Sequence, residues 1–365
     1  MLYLMHVDWG WAKQRPHFVA EGLARYYDVS VRFVQSFNRK LVSKGGPEDR
    51  IDIGGIFRFP LARFSAVRAL NALVARLQLY PQVRSSSIVW VTHPNMFDLV
   101  RRSLRADTVL IYDCMDDVLE FPDTRHDPAK RQAMTRLEGA LAARADVVFA
   151  SSHYLKAKLR DRYGIEDDRL HVVNNGINLA PRSAADAAVP LRDLLGPAAD
   201  VVGKRMVYIG TISEWFDFDI VLRTLEERDD ISYVIVGPCE IDPPTHPRLF
   251  VVPPVKHHEV ARIMDWADAL IMPFRLTELI RSVNPVKVYE YIHAGKPAVV
   301  LRYGETEVFE PYVHLYATAQ EYSRIVAQIA QGSLPDRSNR AAERFVETSS
   351  WAARVDALMT KIPVR

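Results

Sequence analysis

Cysteine is scarce. The 365-residue chain has two, Cys114 and Cys239, far apart and without CxxC spacing. That excludes a disulfide framework and a structural zinc site and suits a reducing, cytoplasmic setting. Net charge is almost absent: 47 Lys and Arg against 45 Asp and Glu leave +2, so no nucleic-acid partner is expected. Long hydrophobic runs are missing too. Nowhere do about 18 apolar residues run together, so no transmembrane helix is expected and any membrane contact would be peripheral. The opening apolar run of Met1 to Met5 is broken by His6 and Asp8 and lacks a basic start, which reads as a strand and not as a signal peptide. No GxGxxG follows any expected strand, and there is no GxxxxGK[ST] phosphate loop. Dinucleotide oxidoreductases and P-loop ATPases are thereby set aside.

What is present is an alternation of short apolar runs with helical patterns, the signature of parallel sheets covered by helices. The first half offers Leu2–Val7, Val29–Val34, Ile88–Val91, Val109–Tyr112, Val147–Ala150 and Leu170–Val173 as strands. The second offers Met206–Ile209, Tyr233–Val236, Leu249–Val252, Ala269–Met272 and Ala298–Leu301. Between them lies a stretch rich in Ala, Pro and Asp without apolar periodicity, which reads as a linker. The expectation is an α/β chain of two Rossmann-like doubly wound domains, 1–180 and 205–348, joined by a linker over 181–204. A terminal helix at about 349–365 is expected to pack back on the first domain.

The most informative segment is 281–297, RSVNPVKVYEYIHAGKP. Asn284 suits an N-cap, Pro285 the first helical position and Gly295 the C′ stop. Such a helix start, flanked by Arg281 and Lys287, attracts anions, so a diphosphate could be held without a glycine-rich loop. Glu290 follows Lys287 by one turn and could accept hydrogen bonds from two vicinal hydroxyls such as those of a ribose. The plainer alternative is a capped helix with a surface ion pair.

Residues 285–300 resemble the nucleotide-binding helix of GT-B glycosyltransferases, whose usual form is P-x-K-x-x-E-Y-x-A-x-G-x-P-V-V. Tyr208-Ile209-Gly210-Thr211 is similar to the strand-to-glycine turn opening that family's C-terminal domain. Asn174-Asn175-Gly176-Ile177 resembles the N-G-V/I segment before its linker. The run from Gln14 to Ala24 resembles the first helix of polysaccharide-building members, those that make capsule, O-antigen, exopolysaccharide or lipopolysaccharide. The resemblance implies a nucleotide diphosphate sugar as donor, with Glu290 on the ribose and the helix start at the diphosphate. It also implies Val255 and Lys256 at the base, and Gly10 and Trp11 approaching the diphosphate from the N-terminal domain. Metal-independent chemistry without a cofactor is implied as well. Retaining members of the E-x7-E type carry a Glu where this chain has Ser282, and the stereochemical course stays open.

If the anomeric centre inverts by direct displacement, the acceptor hydroxyl needs a general base. Carboxylates and histidines at the C-terminal ends of N-domain strands are the candidates, because ligands of open α/β sheets sit at that edge. Asp113, Asp116 and Asp117 follow Val109–Tyr112 and would raise one another's pKa. His6 and Asp8 come second, and His93 third. Caps and turn chemistry are the alternative for the aspartates, and packing for the histidines. The Asp cluster could also suit Mg²⁺ or Mn²⁺, but basic residues at a helix start already neutralise a diphosphate.

The near-zero net charge conceals an asymmetry. Residues 32–84 carry ten Lys or Arg against three acids, a balance of +7, which leaves −5 for the rest. With Phe57, Phe59, Phe64 and Tyr80 interleaved, this stretch could rest on an anionic leaflet at the inner face of the cell membrane or hold a lipid-linked diphosphate acceptor. The expected activity is transfer of a sugar from a nucleotide diphosphate sugar to a glycan or lipid-linked glycan in cell-surface polysaccharide synthesis. A nucleotide-sugar 2-epimerase or a non-catalytic glycan-binding protein of the same fold are the alternatives.

Overall fold

The structure, a computed structural model, describes residues 1–10, 13–35, 43–44, 50–61, 63–179 and 189–363, with the backbone alone at 43, 44 and 257. The chain divides into two compact units, Met1–Asn175 with Trp351–Arg365, and Gly176–Ser350.

The first unit runs β1 (Leu2–Met5), α1 (Arg15–Leu23), β2 (Val29–Val34), β3 (Ser43–Lys44), β4 (Ile51–Ile56), α2 (Ser65–Ser85), β5 (Ile88–Val91), α3 (Pro94–Val100), β6 (Val109–Cys114), α4 (Pro122–Arg125), α5 (Pro128–Arg144), β7 (Val147–Ala150), α6 (His153–Tyr163) and β8 (Leu170–Val172). The sheet order is β3-β4-β2-β1-β5-β6-β7-β8, parallel throughout except for β3 against β4. Helices cover both faces, so β1, β5, β6 and β7 are buried at every position and read as apolar runs, interrupted only by Asp113 near the end of β6. The order reverses direction between β1 and β5, which makes the carboxyl edge there the natural place for a ligand.

The second unit begins with α7 (Leu191–Leu195) and a 3-10 helix over Gly196–Asp200, then β9 (Lys204–Ile209), α8 (Phe218–Glu227), β10 (Ile231–Val236), β11 (Leu249–Val252), α9 (His257–Trp266) and β12 (Ala269–Met272). It continues with α10 (Glu278–Ser282), α11 (Val286–His293), β13 (Ala298–Leu301), a 3-10 helix over Gly304–Phe309, β14 (His314–Tyr316), α12 (Ala319–Gln331) and α13 (Arg340–Thr348). Its all-parallel sheet has the order β11-β10-β9-β12-β13-β14, reversing between β9 and β12.

The final helix, α14 (Trp351–Met359), belongs to the first unit and packs on α1. Phe18 and Trp351 stack with ring centroids 5.1 Å apart. Gly22 makes the close approach possible, since a Cβ there would stand 2.5 Å from Val355 Cγ2.

The stretch expected as a linker over 181–204 is corrected in part. Residues 180–188 lie outside the described residues, but Leu191–Asp200 is helical and places Leu195 and Ala198 in the core of the second unit. Two five-residue helices are too short to show periodicity in a window of about 11–18 residues.

Candidate functional site

In the second unit the switch point lies where β9 and β12 end. Strand β9 runs out into Gly210, and Gly237, after β10, passes so close that a Cβ on it would lie 2.1 Å from the Gly210 carbonyl oxygen. Both glycines have positive φ, 153° and 149°, a region that residues with a side chain avoid. The Gly210 N–H donates to Val236 O at 2.8 Å, and the Ile212 N–H to Pro238 O at 2.8 Å, so the loop holding Thr211 is fixed by main-chain bonds. The Tyr208 hydroxyl donates to Thr211 O at 2.9 Å.

Helix α11 delivers Lys287 to this turn. Val288, Tyr289, Tyr291 and Ile292 bury one side of the helix, leaving Lys287 and Glu290, three residues apart, together on another. The start of the helix is pinned: Tyr289 donates to Asn284 Oδ1 at 3.2 Å, Tyr303 to Val283 O at 3.0 Å, and Tyr291 to Ile271 O of β12 at 3.2 Å. The Lys287 ammonium lies 5.4 Å from the centroid of the Tyr208 ring. It stands 2.7 Å from where a Gly210 Cβ would be, so a side chain at 210 would displace it. Burial pushes its pKa below the ordinary lysine range, and the Glu290 carboxylate opposes that shift. Among the described residues no carboxylate forms an ion pair with it. A partly desolvated cation that makes no close ion pair among the described residues, at the carboxyl edge of a doubly wound sheet, is arranged to receive an anion.

Other expected members are placed differently. Asn284 is not the N-cap; Pro285 holds that position, and Asn284 is a buried acceptor for Tyr289. Gly295 does stand just past the helix with φ 65°. Arg281 lies on α10, exposed, 3.6 Å from Glu278. Arg275, in the loop after β12, is exposed and pairs with Asp219 at 2.8 Å and Asp217 at 3.5 Å. Val255 and Lys256 line a separate cavity of about 840 Å³ with β11, Leu194 to Ala198 and Glu259. Gly210, Lys287 and Glu290 are not in its wall.

In the first unit the three aspartates after β6 separate sharply. Asp113 is buried and held by Arg15, whose Nη2 lies 2.8 Å and Nε 3.0 Å from Oδ1, while Arg15 Nη1 donates to Val173 O at 2.7 Å. It is a structural ion pair and not a base. Asp117 is buried between Lys158 at 2.8 Å and Arg162 at 3.6 Å and accepts from the Leu119 N–H at 3.1 Å. It too is engaged in packing the α6 side of the sheet. Asp116 is different: it is partly exposed and makes no ion pair among the described residues. Burial and the neighbouring Asp117 raise its pKa to about 6 against the lowering effect of Arg15. A carboxyl tuned toward neutrality is what a general base requires. Asp8 instead accepts from the Gly10 N–H at 2.8 Å, closing the turn after β1. Trp11 lies outside the described residues.

His6 and His93 end β1 and β5 at the switch point, with ring centroids 4.8 Å apart. Burial, and for His6 the neighbouring His93, depresses their pKa values to about 3 and about 4, so both are neutral at pH 7. His93 Nδ1 accepts from the Asn95 N–H at 3.0 Å, capping α3. The pair opens into a cavity of about 640 Å³ whose wall includes Ile56, Arg58, Arg68, Asn71, Met96 and Leu137. Among the described residues no three His, Cys, Asp or Glu side chains converge as metal ligands.

Sequence reasoning missed Tyr208 as the floor under Lys287, Gly237 as the partner of Gly210, and the α2 wall of the first-unit cavity. The glycine directly after β10 was the available signal for the second of these.

The chain has the fold of GT-B glycosyltransferases and resembles those building bacterial polysaccharides. Residues 17–181 match the model for Glycosyltransferase Family 4. Over 277 residues the chain is 27% identical to the Bacillus subtilis (strain 168) protein TuaH, whose name assigns it to teichuronic acid biosynthesis as a glycosyltransferase. The match covers 72% of this chain and 68% of that one. Among solved structures, sucrose-phosphate synthase of Thermosynechococcus elongatus superposes with a TM-score of 0.70 at 15% identity, over 98% of this chain and 97% of that one. Anabaena Alr3699/HepE, in complex with UDP and glucose, gives 0.68 at 14% identity, over 99% and 98%. At such identities the structural likeness is one of fold. No helix among the described residues is long and apolar enough to cross a membrane.

Proposed function

We propose that the chain transfers a sugar from a nucleoside diphosphate sugar to a glycan or lipid-linked glycan acceptor during synthesis of a cell-surface polysaccharide. The Lys287 ammonium, partly desolvated beside the Gly210 turn, carries this reading. In it the second unit binds the donor: Lys287 meets the diphosphate and stabilises it as a leaving group, while Glu290 accepts hydrogen bonds from the ribose hydroxyls. Thr211 and the glycine turn border the same anion, and Arg281 adds positive potential. Because Lys287 supplies the charge, the reaction needs neither a metal nor a further cofactor. The first unit takes the acceptor, and Asp116 removes the proton from the attacking hydroxyl. The HepE complex with UDP and glucose and the teichuronic acid assignment of TuaH support a nucleotide-sugar donor and a surface-polymer product. The enzyme works at the cytoplasmic face of the membrane, with residues 32–84 toward anionic lipid; Arg39, Lys40, Glu48 and Asp49 of that stretch lie outside the described residues.

The test is turnover with a panel of UDP-, GDP- and dTDP-sugars and a glycan acceptor. Asp116→Asn should lower turnover by about 10²–10⁴ with donor affinity kept, and the wild-type rate should fall as pH drops through about 6. An Asp116→Asn enzyme with full turnover would remove Asp116 as the base. A product formed from donor alone would instead indicate the epimerase.

A further inference from the structure

Helix α2 is apolar on the side that faces water. At 100° per residue, Ala66, Ala69, Leu70, Leu73, Leu77 and Tyr80 fall within an arc of about 100°. The buried residues Asn71, Ala75, Leu79 and Val83 lie on the opposite side. Leu73, Leu77 and Tyr80 are 52%, 66% and 54% exposed, and Leu61 and Phe64 extend the strip before the helix at 58% and 50%. An ordinary surface helix carries its charges on that face.

The charges around the strip have one sign. Between Asp52 and Asp98 the chain contains no Asp or Glu, yet it contains Arg58, Arg63, Arg68, Arg76 and Arg84. All of these but Arg76 are exposed, and the Arg63 guanidinium lies over the Phe64 ring, 4.9 Å from its centroid. Arg76 is paired with Asp98 at 3.0 Å. An apolar strip flanked by the exposed Arg63 and Arg84, in a segment without acidic residues, complements a surface that is apolar within and anionic at its rim.

We propose that α2, with Leu61 and Phe64, is an interfacial helix that seats the first unit on an anionic lipid leaflet. Its leucines enter the acyl boundary and its arginines meet the lipid phosphates. The inner flank of the same helix, through Arg68, Asn71, Ala72 and Ala75, walls the cavity that His6 and His93 also line. Seating α2 in the leaflet therefore holds that cavity at headgroup level, where the first sugars of a lipid-borne acceptor lie. The seating specifies the membrane contact of the proposed function, and this last consequence rests further on the first unit being the acceptor domain.

The test is flotation of the full chain with phosphatidylcholine vesicles, with and without phosphatidylglycerol. The wild type should float with the anionic vesicles and about tenfold less with the neutral ones. Leu73→Glu/Leu77→Glu should lose at least about tenfold in binding, and Arg63→Glu/Arg84→Glu should lose the preference for anionic lipid. Both variants should keep the wild-type melting temperature and affinity for UDP, which separates this proposal from the donor assignment. Wild-type protein that does not float, or a leucine variant that floats like the wild type, overturns it. So does a dimer in light scattering that the leucine variant splits, which would give the face to a second copy of the chain.

Discussion

Replacing Lys287 by methionine should move stability and function in opposite directions. Methionine keeps most of the length of the side chain and can fill the space beside the Tyr208 ring, but it brings no charge into the partly desolvated space beside Gly210. Since no ion pair to Lys287 is broken, the ligand-free variant should melt at the wild-type temperature or above it. Donor binding should suffer. A charge-assisted hydrogen bond to a diphosphate contributes about 1.5–3 kcal/mol, so the dissociation constant should rise by about 10–150-fold. The depressed pKa adds a second signature: wild-type affinity should decline as pH rises toward the alkaline range, earlier than an ordinary lysine would allow, because deprotonation removes the cation. The variant should show no such limb. Calorimetric titration with UDP across pH, beside ligand-free thermal denaturation, reads both effects. A variant that melts several degrees lower while binding nucleotide like the wild type would show Lys287 to be a packing residue and not the donor's cation.

Arg15→Ala should destabilise the first unit by about 3–5 kcal/mol, because it leaves the buried Asp113 carboxylate without its counter-ion; chemical denaturation checks this, and Arg15→Met/Asp113→Leu should recover most of the loss. His6 and His93 make the stability of the same unit depend on acid. Their folded pKa values of about 3 and about 4 lie below the unfolded value of about 6.5. The unfolded chain therefore takes up protons first, and stability is full above about pH 6.5 and is lost as pH falls toward about 4. His6→Gln should flatten that slope in denaturant melts taken across the range, whereas an unchanged slope would assign the acid sensitivity to other groups.

Both sheets were legible because strands buried on two faces are short, nearly pure apolar runs, and Ile88–Val91, Val147–Ala150, Leu249–Val252, Ala269–Met272 and Ala298–Leu301 have the expected limits. Strand β4 escapes the same logic. It contains Gly54 and Gly55, whose missing side chains make room for Arg32 and Gln35, so its composition resembles a turn. The donor helix was legible from its proline start and glycine stop, though the polar residue before the proline turned inward to Tyr289 instead of capping. The aspartate cluster shows the limit most clearly. Three similar residues in a row of five acquire different roles because Arg15, Lys158 and Arg162 approach from distant segments, and spacing along the chain carries no trace of such partners. The outer face of α2 is likewise apolar at helical spacing, and only the exposed surface shows that half of the pattern is not core.

A crystal structure of the chain with UDP bound would show whether a donor diphosphate is held where β9, Gly210 and Lys287 meet. A diphosphate oxygen should lie within about 2.7–2.9 Å of the Lys287 ammonium, with the ribose hydroxyls on Glu290. A diphosphate seated elsewhere, with the Lys287 ammonium still over the Tyr208 ring and out of its reach, would rule out Lys287 as the donor's cation.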